Sequence, residues 1–116
     1  MRIYREGMDH HFGLLAARPT SYHKCCGLNR AYIMAHLATI PIITESYESV
    51  LKDLGNFSII VGEQDFEKNL VNALRKALSL ECNELNTLRF RIYRYAKSTL
   101  VWDRYSNILV NALTVA

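Results

Sequence analysis

The sequence is poor in the residues that interrupt helices and strands. Only two prolines occur, and none of the five glycines lies beyond residue 62. Proline and glycine punctuate loops and strand ends, whereas the interiors of long helices exclude them. We therefore expect short strands joined by loops in the first half of the chain and long helices in the second.

Cysteine and long apolar runs are also scarce. Three cysteines, two of them adjacent, do not supply the even, spaced set of a disulfide framework, so we interpret them as reduced thiols. No apolar run approaches the roughly 20 residues that cross a bilayer. The first residues lack the apolar core of a secretory signal. These absences favour a cytoplasmic protein, and attachment at a membrane surface stays open.

Neither sign of charge dominates, but charge is segregated along the chain. Residues 1–44 carry five basic and two acidic side chains, residues 45–84 carry four and eight, and residues 85–116 carry five and one. The formal net charge is +3. Basic ends around an acidic middle permit binding to phosphates or anionic surfaces without requiring it.

What is present is an ordinary globular composition, with 50% hydrophobic and 22% charged residues. A chain of 116 residues fits one domain with one hydrophobic core, and we predict a single domain over residues 1–116. Short apolar segments, of which residues 40–44 are β-branched, predict strands at residues 3–4, 12–17, 40–44 and 57–61.

Helical patterns alternate with these strands and then continue alone. One helix begins at Asn29, and a second spans residues 46–54 with Gly55 as its C-cap. Asp65 is the N-cap candidate of a third. The predicted inner faces of the last three helices are Phe66, Leu70, Leu74 and Leu78, with Ala73 and Ala77 beside them; Leu85, Leu88, Ile92, Tyr95 and Ala96; and Trp102, Tyr105, Leu109 and Leu113. The alternation predicts an α/β fold: a small open parallel sheet of three or four strands flanked by helices, Rossmann-like, with a helical C-terminal part.

The order of these segments resembles the nucleotide-sugar-binding half of two-domain (GT-B fold) glycosyltransferases. Residues 32–43 (YIMAHLATIPII) look like that family's helix, turn and strand, in which "EAMA" and "PVI" lead to the donor sugar. Residues 57–70 are similar to its next strand and helix, and residues 94–105 to its closing helix. The resemblance spans about residues 12–113.

This resemblance implies a protein that binds a nucleotide or nucleotide-sugar and, if it is an enzyme, transfers a hexosyl group. It implies a donor site where the family turns toward its sugar, at Glu45, Ser46 and Tyr47. Two glutamates of the family fall here on Cys26 and Met34, which cannot accept hydrogen bonds from hydroxyls as a carboxylate does. The family's turn glycine is Thr39, and its acceptor-binding half has no counterpart. We therefore expect sugar transfer to need a partner chain, and we assign no catalytic residue.

The loop before the Asn29 helix is a candidate phosphate site. A helix N-terminus offers free N–H groups and a partial positive charge, which suit a diphosphate. The residues around it are Arg18, Lys24, Asn29 and Arg30. Arginine binds phosphate through two parallel hydrogen bonds, and Gly27 would permit close approach of the backbone. The alternative is a set of solvated cations around a capped helix.

Two further clusters have weaker patterns. Histidine and cysteine concentrate in residues 10–36, but adjacent cysteines cannot form the usual zinc chelate, so we predict no metal and no cofactor. His36 is expected on a helix flank against the core. Basic and aromatic residues alternate over residues 89–97, a pattern that can serve nucleic acid. Helical spacing instead makes Arg91 and Arg94 a solvated face.

Three functions therefore stay open. The first is a glycosyltransferase-like protein that binds a nucleotide or nucleotide-sugar. The second is a non-catalytic binding or assembly protein on the same fold, monomeric or dimeric. The third is a basic accessory protein that binds nucleic acid.

Overall fold

The computed structural model describes residues 10–16 and 29–114. In chain order its elements are β1 (Phe12–Leu15), α1 (Asn29–His36), β2 (Ile40–Thr44), α2 (Glu48–Leu54), β3 (Ile59–Val61), α3 (Phe66–Ser79), α4 (Cys82–Thr99) and α5 (Trp102–Thr114). A 3-10 helical turn, Gly55–Phe57, separates α2 from β3. The strand predicted at residues 3–4 lies outside the described residues.

The three strands form one parallel sheet in the order β1-β2-β3. Ile42 of the central strand is paired with Leu14 on one side and with Ile59 on the other. Every residue of β2 is buried, and strands covered on both faces have continuous apolar sequences of this kind. The predicted fold class, a small open parallel sheet with flanking helices and a helical C-terminal part, is confirmed.

Helices cover both faces of the sheet. On one face, Leu15 and Ile43 belong to the larger core cluster, which α1, α2 and α4 complete. On the opposite face, α3 packs against β2 and β3. The smaller cluster on that face consists of Ile42, Ile59, Val61, Ala73 and Ala77. The crossover helices α1 and α2 therefore share a face, as right-handed β-α-β connections require.

Small residues let α1 approach the sheet closely. Ala31 and Ala35 are fully buried. A Cβ atom added to Gly13 of β1 would lie 2.6 Å from Met34 Cε, closer than real Cβ atoms come. Met34, where the resembling family has a glutamate, is therefore a packing residue against β1.

The turn from α1 into β2 contains a residue with a left-handed backbone. Ala38 has a φ of 56°, a conformation that costs a non-glycine residue roughly 1–2 kcal/mol. The Thr39 N–H donates to the Met34 carbonyl at 2.9 Å, and Arg89 Nε donates to the Ala38 carbonyl at 2.8 Å. The position that favours glycine is thus Ala38, one residue before the Thr39 position that the resemblance indicated.

The contact of α3 with the sheet differs from the prediction. The first two residues of its predicted stripe pack against the smaller cluster, and the buried positions that follow are the two alanines predicted beside the stripe, Ala73 and Ala77. Leu74 and Leu78 are 40% and 87% exposed, so the prediction was wrong for them. A strict four-residue spacing drifts by about 40° at each step around a helix of 3.6 residues per turn, which carries the stripe off the sheet.

The predictions for the inner faces of the last two helices have opposite outcomes. The predicted inner face of α4 is confirmed, with Ile92 and Ala96 fully buried. In α5 the predicted inner residues Tyr105, Leu109 and Leu113 are 47%, 60% and 70% exposed, so the prediction was wrong. The periodicity located an apolar face, but no described element covers it. None of the described helices combines the length and apolarity needed to cross a bilayer.

Both predicted helix caps occupy their predicted positions, but their geometry is unusual. Asp65 occupies the N-cap position of α3, but its side chain makes no capping hydrogen bond. Gly55 follows α2 with a φ of −57°, a right-handed helical conformation. Gly55 is thus the C-cap of α2, as predicted, but without a left-handed conformation, and the chain continues there into the 3-10 turn.

Candidate functional site

The carboxyl ends of the three strands lie at one edge of the sheet because the strands are parallel. Ligands of open α/β sheets bind outside this edge. The helix α1 connects two parallel strands and runs antiparallel to them. Its first residues, Asn29 and Arg30, therefore lie on the side of the molecule that carries the carboxyl ends of the strands. Both are exposed. The other residues of the predicted phosphate site, Arg18 and Lys24, lie outside the described residues.

Two turns at this edge are joined by Glu45. Its Oε1 accepts a hydrogen bond from the Glu63 backbone N–H at 2.8 Å. The side-chain amide of Asn69 donates to the carbonyls of Gly62 and Gln64 and so orders the second turn. We call this connected surface, residues 45–47 and 62–64, the carboxyl rim.

Ser46 is a buried residue of the carboxyl rim and has an unsatisfied hydroxyl. Its side chain is 1% exposed, and Oγ has no hydrogen-bond partner among the described residues. A buried polar group without a bond costs about 1–3 kcal/mol. Such exceptions in native proteins call for an explanation, for example a water, an ion or a catalytic role.

The three residues of the predicted donor site therefore have different environments. Glu45 is exposed and anchors the rim. Ser46, the next residue in the chain, has a buried hydroxyl group. Tyr47 is 6% exposed and packs in the larger core cluster. The first two can serve a ligand through polar atoms, whereas the ring of Tyr47 supports the turn from within the core.

A second concavity, which the sequence did not indicate, lies outside α1. Its volume is about 590 Å³, within the range of small-molecule sites. It is lined by Asn29, Tyr32, His36, Asp53, Leu100, Val101 and Tyr105. We call it the outer groove. Its three α1 residues follow a spacing of three and then four positions, so they share one face of the helix.

A tyrosine and a carboxylate form one polar wall of the outer groove. The Tyr32 hydroxyl donates to Asp53 Oδ2 at 2.8 Å and so connects α1 with α2. Burial, together with this bond and the nearby carboxylate charge, raises the pKa of Tyr32 to about 12. The cause is that a phenolate would be poorly solvated and would lie beside a second negative charge.

His36 forms the other polar part of the groove. Its Nε2 lies 2.9 Å from the Leu100 carbonyl oxygen. A carbonyl only accepts, so Nε2 is the donor of this hydrogen bond. His36 is half-buried on a flank of α1, as predicted. Its partner is 64 positions away along the chain, and no periodicity in the sequence reveals such a contact.

The cations of α4 are partly engaged within the chain. The Arg91 guanidinium lies 5.7 Å from the centroid of the Phe57 ring, and Lys97 Nζ lies 5.3 Å from that of Tyr93. Such cation–π contacts compete with external anions for the same charges. Arg91 and Arg94 are exposed, as predicted. Nucleic-acid binding stays a prediction, and the contacts described for these α4 cations do not favour it.

The family resemblance also stays a prediction. What the carboxyl rim and the outer groove do is therefore argued from their own geometry and chemistry. The chain matches no protein-family model, no curated protein and no solved structure.

Proposed function

We propose that the chain binds a nucleotide or nucleotide-sugar at the carboxyl rim. The observation that carries the proposal is the Ser46 hydroxyl, buried and without a partner among the described residues, at the carboxyl end of the central strand. This is the edge at which open α/β sheets receive ligands. A ligand oxygen that accepts from this hydroxyl, after a small opening of the turn, would remove the cost of leaving it unpaired.

A carboxylate and an arginine on this side of the molecule suit the sugar hydroxyls and the diphosphate of such a ligand. Glu45 accepts one bond through Oε1, and its second carboxylate oxygen can accept from sugar or ribose hydroxyls. Arg30, exposed in the first turn of α1, supplies a cation for the diphosphate. Sugar transfer would further require an acceptor-binding half from a partner chain, because the resembling family uses two halves.

Uridine diphosphate is the probe of choice for this proposal. Saturable binding should raise the unfolding temperature, because a ligand at 100 times its Kd stabilises the folded form by about 2.7 kcal/mol. The S46A variant should bind more weakly although the unliganded protein is as stable as the wild type or more so, since an unpaired buried hydroxyl has been removed. Weaker binding without a loss of stability distinguishes a ligand contact of Ser46 from a structural role.

Two arginine variants complete the test. R30Q should weaken binding, whereas R75Q, at an exposed position of α3, should leave it unchanged. The proposal fails if uridine diphosphate does not bind saturably, or if S46A binds it as the wild type does.

An assembly protein on the same fold is the second candidate, and the exposed face of α5 favours it. Ile108, Leu109 and Leu113 are 58%, 60% and 70% exposed. Residues 105–114 contain no charged side chain. Two copies of this helix can therefore pair about a two-fold axis without like-charge repulsion, which makes a second copy of the chain the partner of this face.

A further inference from the structure

The polar wall of the outer groove presents acceptors of hydrogen bonds. Asp53 uses Oδ2 for the Tyr32 hydroxyl, and its Oδ1 has no partner among the described residues. The Tyr32 oxygen retains its lone pairs after donating. The His36 ring donates through Nε2 to Leu100 and is held beside this wall. A ligand in contact with this wall must bring donors, and the carboxylate disfavours an anionic group beside it.

The remaining walls of the groove are apolar and aromatic. Leu100 and Val101 are half-buried at the corner between α4 and α5. Tyr105, from the first part of α5, is 47% exposed and faces the same space. Aromatic and aliphatic side chains around an open slot favour a flat ring, which gains contact area and stacking without much loss of its own freedom.

We infer that the outer groove binds a planar heterocycle with adjacent N–H donors, the chemistry of a guanine base. Two neighbouring N–H groups match a carboxylate in a paired arrangement, and Asp53 supplies the one carboxylate among the described residues that line the groove. The ring then lies along Tyr105 and Leu100. A volume of about 590 Å³ accommodates a nucleoside. This inference rests on the groove alone and not on the function proposed for the carboxyl rim.

The Asp53 carboxylate is held in a fixed position without a ligand. The Tyr32 hydroxyl holds the Asp53 carboxylate at 2.8 Å, so its remaining lone pairs have fixed directions. Because the high pKa keeps Tyr32 protonated at neutral pH, this bond is present throughout the physiological range. A preorganised acceptor loses less entropy on binding than a mobile side chain does.

Titration of the full chain with free nucleosides, followed by amide NMR shifts, tests the inference. Guanosine should shift the amides of Tyr32, Asp53 and Leu100. Inosine, which lacks the exocyclic amino group, should bind about tenfold more weakly because one hydrogen bond to a charged acceptor is lost. Uridine, which has no adjacent pair of donors, should be weaker than guanosine as well.

Two variants address the contacts separately. D53N should weaken guanosine binding about tenfold, since the amide replaces one acceptor oxygen by a donor. Because D53N also alters the bond between α1 and α2, Y105A provides a second measurement at an exposed position. It should weaken guanosine binding several-fold with little change in unfolding temperature. Y93A, at an exposed tyrosine of α4 that does not line the groove, is its matched control.

Some outcomes would overturn the assignment. These are equal affinity for guanosine and inosine, shifts confined to residues outside the groove, no shift at all, or wild-type affinity in both D53N and Y105A. The proposal for the carboxyl rim fails separately, because uridine diphosphate lacks the guanine edge and S46A should leave guanosine binding unchanged.

Discussion

Tyr32 shows how one side chain acquires a role that its place in the sequence does not reveal. The helical pattern puts it on one face of α1 with His36, and the resemblance places it in an "EAMA"-like helix. The structure brings it to Asp53, 21 positions further along the chain. The resulting hydrogen bond fixes the polar wall of the outer groove. It also joins α1 with α2, which cover the same face of the sheet.

A pH-dependent stability follows from the raised pKa of Tyr32. Its pKa is about 12 in the folded protein against an ordinary value of 10.0. Between these values the unfolded chain releases the proton while the folded protein keeps it. The contribution of Tyr32 is therefore complete below pH 10 and is lost as the pH rises toward 12.

The Y32F variant checks this contribution. Denaturant unfolding across the same pH window should show a smaller loss of unfolding free energy than in the wild type, because phenylalanine does not titrate. Y93F, at an exposed tyrosine of α4, controls for the general effect of alkaline pH and should behave as the wild type does. An identical loss in Y32F and wild type would contradict the expectation.

At the scale of elements, the turn between α1 and β2 makes a specific demand on its residues. Ala38 adopts a left-handed backbone, and the Arg89 side chain of α4 bonds its carbonyl oxygen. The resemblance aligned the family's glycine with Thr39. That residue is 4% exposed, and its hydroxyl donates to the His10 carbonyl. A one-residue offset of this kind is decided by hydrogen bonds of the turn, which residue types alone do not show.

The A38G variant should be more stable than the wild type. Glycine removes a left-handed penalty of roughly 1–2 kcal/mol, while its freedom in the unfolded chain costs about 0.4–1 kcal/mol. We expect the unfolding free energy to rise by about 0.5 kcal/mol in denaturant titrations. T39G, the neighbouring substitution, should lower it because buried contacts and a hydroxyl donor disappear. A loss of stability in A38G would contradict the left-handed conformation.

The α3 and α5 helices show the limit of periodicity at this scale. Both were correctly predicted as helices with an apolar stripe, and the residues of each stripe lie within the observed helix. Which residues of each helix touch the core depends on where the short strand β3 ends and on whether another element lies opposite. Neither fact is encoded in the helix's own pattern, so Leu78 and Leu113 were placed in the core incorrectly.

At the scale of the molecule, the exposed face of α5 predicts self-association. If two copies pair through it, L109E should shift the protein from dimer to monomer in sedimentation or light scattering, because two carboxylates cannot be buried in an apolar contact. Asn111 lies on the opposite, polar side of the same exposed helix. N111E is therefore the matched control and should leave the dimer intact.

The outcome also separates the two candidate functions. A wild-type chain that is monomeric at all accessible concentrations would contradict the assembly role. A dimer that still binds uridine diphosphate would show that both roles coexist, since the carboxyl rim and α5 are built from different residues.

By itself the sequence determined the parallel sheet and the places of most strands and helices along the chain. These follow from local chemistry: β-branched apolar runs, helical spacing, and glycine and proline confined to one half of the chain. Only the tertiary structure decided the sites. The unpaired Ser46 hydroxyl, the bond between Tyr32 and Asp53, and the uncovered face of α5 depend on which distant segments meet, and the packing of the whole chain sets those meetings.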